Sequence, residues 1–267
     1  MSTPTAGPYQ NPLMTPGAHA VSVNGIELYY ETYGQGEPLV LLHGFTGAGS
    51  DWGHVLKGPP EGYTSVIPDL RGHGRSTNPP LVFTHRQAAQ DIFALLDQLG
   101  VQRFKAIGLS AGAKALLHMA TEQPNRVEAM VLVSAAPYFP EQARAIMRKM
   151  IPERQTDADW NMMRQRHKYG DDQIRMLWAQ GQAFKDSYED VNFTPPLLGT
   201  IRARTLIVHG DRDPFYPASL AVELYKAIEK SYLWILPNAG HAPIFGAMSA
   251  SFLETALAFL GGAWESR

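Results

Sequence analysis

Apolar runs of strand length alternate with amphipathic helical patterns along most of the chain. Helical patterns separate most of these runs from residue 65 onward, and such alternation is typical of a mostly parallel sheet with helices on both faces. Asn24-Gly25 lies between the first two runs and is a strong hairpin signal, so the sheet is expected to begin antiparallel. We therefore predict an α/β fold with eight strands, at residues 21–23, 26–34, 38–44, 65–70, 104–110, 129–135, 205–210 and 232–237.

Residues 84–99 contain the clearest helical pattern. Thr84 and Gln87 have the spacing of a capping box, and Gly100 lies where a helix commonly ends. The pattern predicts an amphipathic helix with one apolar stripe, formed by Ala88, Ile92, Leu95, Leu96 and Leu99.

Residues 137–200 interrupt the alternation, because they contain no convincing strand. An insertion of this length between the sixth and seventh strands is more typical of a helical cap than of a structureless loop. Three helical patterns occur in it, at 140–150, 157–168 and 171–184. The expected organisation is a flexible Pro-rich arm, an α/β core in two pieces and a helical cap, at residues 1–20, 21–136 with 201–267, and 137–200.

Composition narrows the class of protein. Of 267 residues, 45% are hydrophobic and 18% are charged, which suits a large buried core. The formal charge of −2 provides no basic footprint for nucleic acid, and the absence of cysteine excludes disulfides and thiolate metal sites. No apolar run is long enough to span a membrane, and the N-terminal arm lacks signal-peptide features. We expect a cytoplasmic protein, or a secreted or periplasmic one if an upstream signal peptide was removed.

The segment Gly108-Leu109-Ser110-Ala111-Gly112 carries the first candidate chemistry. It follows a predicted strand and precedes a predicted helix, and small neighbours allow the chain to turn tightly there. Such a turn holds the serine hydroxyl at the carboxyl end of the sheet, where open α/β folds bind ligands. A serine needs a base and oxyanion donors to act as a nucleophile, so the motif predicts partners elsewhere in the chain.

Partners of the expected types follow the last two strands. Asp211 and Asp213 come directly after the seventh strand, and His241 follows the eighth strand with Gly240 beside it. The chain order is therefore serine, aspartate, histidine, which is the order used in α/β-hydrolases. From the residues alone, either aspartate is a candidate for the acid.

These motifs resemble those of the α/β-hydrolase fold superfamily, over residues 21–262. LLHGF at 41–45 and DLRGHGRS at 69–76 resemble its oxyanion loop and the turn after the following strand. The resemblance implies a catalytic triad of Ser110, His241 and Asp213, because the family's G-x-x-D spacing begins at Gly210. It further implies an oxyanion hole from the main-chain amides of Phe45 and Ala111. A serine at the position where haloalkane dehalogenases and epoxide hydrolases have aspartate implies acyl transfer to water.

The other eight histidines are less suitable as bases. Four are expected to form structural hydrogen bonds, namely His43, His73, His118 and His209. The remaining four have no supporting context and are expected to be solvated or capping, namely His19, His54, His85 and His167.

Apolar side chains suggest the substrate. We expect Trp52, Trp160 and Trp178 to line a pocket for an apolar or aromatic acyl group; alternatively, the cap residues form the cap's own core. The predicted function is a serine carboxylic-ester hydrolase, with carbon–carbon bond (vinylogous diketone) or lactone hydrolysis as alternatives. A receptor-like protein with little turnover is the alternative of another class. We expect a small-molecule ester as substrate, no cofactor or metal, no nucleic acid, no membrane span, and a monomer or homodimer.

Overall fold

An eight-stranded mixed sheet forms the centre of the computed structural model, which describes residues 14–79 and 81–264. Its strand order is β1-β2-β4-β3-β5-β6-β7-β8. This confirms the predicted α/β fold and all eight strands, with bounds shifted by a few residues. The strands are β1 (Gly17–Val23), β2 (Ile26–Gly34), β3 (Glu37–Leu42), β4 (Tyr63–Pro68), β5 (Phe104–Leu109), β6 (Val127–Val133), β7 (Arg204–Gly210) and β8 (Ser231–Leu236).

The sheet begins antiparallel, as the hairpin signal predicts. Asn24 and Gly25 both have positive φ, 45° and 77°, which the tight turn between β1 and β2 requires. β2 pairs antiparallel with β4, and all later pairs are parallel. Since β1 begins at Gly17, the end of the predicted arm is in fact strand, and residues 1–13 of the arm lie outside the described residues.

Eight α-helices occur in the described residues. The first confirms the clearest sequence pattern: the Thr84 hydroxyl accepts a hydrogen bond of 3.0 Å from the Gln87 amide, and Gly100 has a φ of 73° just after the helix. The helices are α1 (His85–Gln98), α2 (Ala111–Glu122), α3 (Glu141–Met147), α4 (Asp157–Arg166), α5 (Gly170–Ala183), α6 (Pro195–Leu198), α7 (Ala218–Ala227) and α8 (Ser249–Leu260).

Each face of the sheet has its own hydrophobic core. Alternate residues of one strand enter different cores: Val40 and Leu42 belong to one cluster, and Leu39 and Leu41 to the other. α1, α2 and α7 cover the first cluster, whereas α8 and the turn around Trp52 cover the second. Strands β3 to β7 are thus buried on both faces along most of their length, which explains their continuous apolar sequences, whereas β8 at the edge of the sheet is only partly buried.

Residues between β6 and β7 form helices α3 to α6 and no strand within this fully described stretch. Its two ends meet at an isolated bridge between Tyr138 and Asn192, and the Phe193 amide donates to the Pro137 carbonyl at 2.8 Å. The stretch also contributes most of a small third cluster, around Met163, Ile174 and Trp178. No helix in the described part of the chain is both long and apolar enough to cross a bilayer.

Candidate active site

Ser110 lies at a sharp turn between β5 and α2. Its φ of 51° and ψ of −104° are unusual for a residue with a side chain, and such strain is held in place by surrounding structure. A Cβ on Gly112 would lie 2.3 Å from the Leu42 carbonyl oxygen, and one on Gly108 would lie 2.7 Å from the Ala113 nitrogen. The two glycines therefore allow the close approach of strand and helix that presents the serine at the carboxyl end of β5.

The structure brings Ser110, His241 and Asp213 together. His241 Nε2 lies 2.8 Å from Ser110 Oγ, and His241 Nδ1 lies 2.8 Å from Asp213 Oδ2. An ionised carboxylate only accepts hydrogen bonds, so Nδ1 donates to Asp213 and Nε2 is left to accept the Ser110 proton. The arrangement can therefore remove a proton from the serine hydroxyl.

The Asp213 carboxylate is buried and fully engaged. Its Oδ1 accepts from the amides of Phe215 and Tyr216 at 2.8 and 3.1 Å. Burial acts to raise the pKa of Asp213, but the hydrogen bond and charge of His241 together with these amides outweigh it and hold the pKa below its ordinary value. Asp211 instead accepts from the Ala239 amide at 3.2 Å, and within the described residues it forms no hydrogen bond or ion pair with His241.

Two amides near Ser110 are free of protein acceptors. Within the described residues, neither the Phe45 nor the Ala111 N–H donates a hydrogen bond to the protein, whereas the adjacent Gly112 amide donates to the His43 carbonyl at 3.1 Å. Phe45 and Ala111 both line the cavity that contains Ser110 and His241. These amides are available to an oxyanion formed there.

A cavity of about 210 Å³ lies beside Ser110. Its walls are largely apolar and come from both the core and the stretch between β6 and β7. Besides Ser110, His241, Phe45 and Ala111, it is lined by Thr46, His85, Lys114, Phe139, Met147, Met150, Phe184, Phe215 and Tyr216.

The three tryptophans expected to line the pocket do not line this cavity, which corrects that expectation. Trp160 and Trp178 pack edge to face with ring centroids 4.5 Å apart, and they form part of the third cluster behind Phe45 and Met150. Trp52 lies on the opposite face of the sheet, beside a separate cavity of about 420 Å³. Aromatic side chains at helical spacing here pack against one another instead of facing Ser110.

The histidines expected to form structural hydrogen bonds do so. His43 Nε2 accepts from the Leu70 amide at 2.9 Å, and His73 Nε2 accepts from the Thr46 amide at 3.2 Å, so both order the loop around Phe45. His118 and His209 each bond a backbone carbonyl.

His85 and His167 differ from their expectation, since both are buried. His167 joins the Gly74 amide to the Thr46 carbonyl. His85 faces the cavity and lies 2.6 Å from Asp190 Oδ2 through its Nδ1. No sequence signal pointed to the His85–Asp190 pair.

Lys114 is a further cavity residue that sequence reasoning missed. It lies one helical turn after Ser110 on α2 and is only 1% exposed. Burial lowers its pKa to about 7, although the charges of Asp213 and Asp190 oppose this. In the described residues, no cluster of three or more His, Asp or Glu side chains could hold a metal ion.

A comparison with known families gives the class of protein. The model of the alpha/beta hydrolase family matches residues 39–254, which is most of the chain. The protein therefore belongs to the alpha/beta hydrolase family, and it is a hydrolase by class.

Individual relatives of this chain are named as different kinds of hydrolase. The chain is 30% identical over 254 residues to the serine hydrolase BPHL of Homo sapiens, covering 88% of this chain and 85% of that protein. It is 28% identical over 255 residues to a 2-hydroxy-6-oxononadienedioate/2-hydroxy-6-oxononatrienedioate hydrolase of Pseudomonas putida, covering 81% and 85%. A thermophilic esterase from Thermogutta terrifontis has a similar structure, with a TM-score of 0.72, 20% identity, and coverage of 93% and 98%.

Proposed function

We propose that the protein is a serine hydrolase that cleaves carboxylic esters through an acyl-enzyme. The hydrogen-bonded series from Ser110 through His241 to Asp213, with 2.8 Å at each step, is the observation that carries this proposal. In it Ser110 is the nucleophile, His241 the general base and then acid, and Asp213 the group that orients the imidazole. The main-chain amides of Phe45 and Ala111 form the oxyanion hole.

The reaction has two steps. Ser110 Oγ attacks the ester carbonyl carbon while its proton moves to His241 Nε2, and the resulting oxyanion accepts hydrogen bonds from the two amides. The carbon–oxygen bond to the alcohol then breaks, and the alkoxide takes the proton from His241. Water next loses a proton to His241 and attacks the acyl-enzyme, which releases the acid and restores the Ser110 hydroxyl.

We further propose that residues 137–200 act as a cap that limits access to Ser110. Met147, Met150 and Phe184 from this stretch support the proposal, because they line the cavity together with Ser110 and His241. An apolar or aromatic acyl group suits these walls.

The test is turnover of a panel of p-nitrophenyl esters, with labelling by an organophosphonate. We expect rapid turnover and stoichiometric labelling of wild type, and loss of both in Ser110→Ala with the fold intact, as judged by circular dichroism. Since triad residues act as a unit, the loss should be about a millionfold in kcat. Ser110→Ala activity within about tenfold of wild type would contradict the assignment of the nucleophile.

Carbon–carbon bond hydrolysis is the second candidate, and the similarity to the Pseudomonas putida hydrolase favours it. Turnover of a vinylogous diketone with a kcat/KM above that of every ester would favour this reaction. Lactones belong in the same panel. Labelling of Ser110 without turnover of any substrate would instead favour a receptor-like protein.

A further inference from the structure

Lys114 has an unusual environment for a charged side chain. It is 1% exposed, and its Nζ lies 4.5 Å from the centre of the Tyr216 ring and 5.5 Å from that of Phe139. Among the described residues, no side chain forms an ion pair or hydrogen bond with this ammonium. A buried charge without a partner is costly, so the site favours binding of an anion.

The nearest acidic groups are committed elsewhere. Asp213 accepts hydrogen bonds from His241 and from the amides of Phe215 and Tyr216. Asp190 accepts from His85 Nδ1 and from the amides of His85 and Arg86. Their charges reach Lys114 from a distance, but neither carboxylate neutralises it by contact.

Lys114 also lies close to the reacting group. It follows Ser110 by four residues on α2, which is about 6 Å along the helix axis, and its side chain leans toward the helix N-terminus. Both residues line the same cavity, whose other walls are mostly apolar. A molecule bonded to Ser110 can therefore reach the ammonium through a short apolar chain.

Exposure indicates which part of the substrate meets Lys114. The His241 side chain is 23% exposed, and it must deliver its proton to the departing alcohol. Lys114, which lines the same cavity, is only 1% exposed. The alcohol thus leaves toward solvent, and the acyl part occupies the end that contains Lys114.

We propose that Lys114 binds a carboxylate on the acyl part of the substrate, so that the preferred substrates are short monoesters of dicarboxylic acids. This inference rests on the proposed ester hydrolysis and names its substrate class. His85, whose ring faces the same cavity, is a further polar group at that end.

The test compares monoethyl glutarate with ethyl 5-methylhexanoate, its neutral isostere, by titration of released acid. Wild type should favour the glutarate by about tenfold or more in kcat/KM, and Lys114→Met should lower this ratio by about tenfold or more. Lys226→Met is the matched control, because Lys226 is exposed on α7 and should leave the ratio unchanged. A wild-type ratio at or below one, or an unchanged ratio in Lys114→Met, overturns the proposal.

The pH dependence adds a measurement that needs no variant. Lys114 must be protonated to bind a carboxylate, so the wild-type ratio should fall as the pH rises through about 7. Because the ratio compares two esters on the same enzyme, pH effects common to both cancel, including the titration of His241. The other titratable groups that face Lys114 are Asp213, Asp190, His85 and Tyr216. A ratio that does not change between about pH 6 and 9 contradicts the role of Lys114.

Failure of the proposed ester hydrolysis would be seen separately. If wild type turns over neither these two esters nor any p-nitrophenyl ester, the proposed function fails, and binding of glutarate to Ser110→Ala then tests the lysine alone. Glutarate should raise the melting temperature of the Ser110→Ala variant. It should not raise that of the double variant with Ser110→Ala and Lys114→Met. An equal effect on both proteins overturns the assignment.

Discussion

Two aspartates in one turn after β7 differ in burial and in the hydrogen bonds that they accept. Asp213 accepts hydrogen bonds from His241 and from two amides, whereas Asp211 accepts one from the Ala239 amide. The G-x-x-D spacing from Gly210 favours Asp213, and the contact with His241 supports the same choice. The distinction lies at the scale of single residues, and single substitutions can test it.

We expect Asp213→Asn to lose about ten-thousandfold in kcat, because an amide cannot hold the imidazole in the tautomer that accepts the Ser110 proton. Asp211→Asn is the matched control and should stay within about tenfold of wild type, since it keeps an oxygen acceptor for the Ala239 amide. Steady-state kinetics on one p-nitrophenyl ester measures both. A larger loss in Asp211→Asn than in Asp213→Asn would show that the acid has been misassigned.

The candidate site could be predicted where its signal is local. Gly108, Ser110 and Gly112 occur within one short turn, and His241 follows a strand, so sequence pattern and chain order were enough to select them. His85 and Asp190 are 105 residues apart, and nothing near either one indicates the other. The sequence around Lys114 does not indicate that its side chain is buried. The burial is visible only in the structure, where Lys114 packs against Phe139 and Tyr216.

At the scale of elements, periodicity predicts that a helix has an apolar face but not what that face contacts. α4 and α5 were expected from their patterns, and their apolar faces meet each other through Trp160 and Trp178. Met147 at the end of α3 lines the cavity instead. The sequence contained no signal that separates these two outcomes.

Trp178→Ala should therefore affect stability more than selectivity. Trp178 is 3% exposed and packs within the third cluster, so its loss should cost about 3–5 kcal/mol of unfolding free energy if that stretch unfolds with the core.

Met147→Ala enlarges the cavity and should shift acyl preference toward longer chains. Urea unfolding and a series of p-nitrophenyl esters measure the two effects. A shifted acyl profile in Trp178→Ala with an unchanged profile in Met147→Ala would reverse our assignment of the pocket wall.

At the scale of the whole molecule, the stretch between β6 and β7 is fastened to the core by polar contacts near its end. Asp190 accepts hydrogen bonds from the first two amides of α1, at 2.9 and 3.1 Å, where the helix dipole also favours a negative charge. The same residue pairs with His85, and its carbonyl bonds His118 of α2 at 2.7 Å. Asp190 thus links this stretch to two core helices at once.

This link should make stability depend on pH. Burial acts to raise the pKa of Asp190, but the hydrogen bond and charge of His85 and the two amides lower it to about 2, from an ordinary 3.8. Because the folded state holds the Asp190 carboxylate in its ionised form, this carboxylate stabilises the folded protein at pH values above 3.8. The stabilisation is lost as the pH falls toward 2. The difference between the folded and ordinary pKa values of Asp190 corresponds to about 2 kcal/mol of unfolding free energy at neutral pH, of which about half is lost by pH 3.

Asp190→Asn should therefore unfold at lower urea concentration than wild type at pH 7, by about 2 kcal/mol or more because a buried partner of His85 is removed. The gap between the two proteins should narrow as the pH falls from about 5 to 3, because Asp190 then binds a proton in the unfolded wild-type chain while it stays ionised in the folded protein. Asp172→Asn is the matched control, because Asp172 is exposed on α5 and, within the described residues, forms an ion pair only with the exposed Arg175. If the stability gap between wild type and Asp190→Asn stays constant across this range, the charge of Asp190 does not hold the stretch to the core, and its packing against α1 and α2 must do so instead.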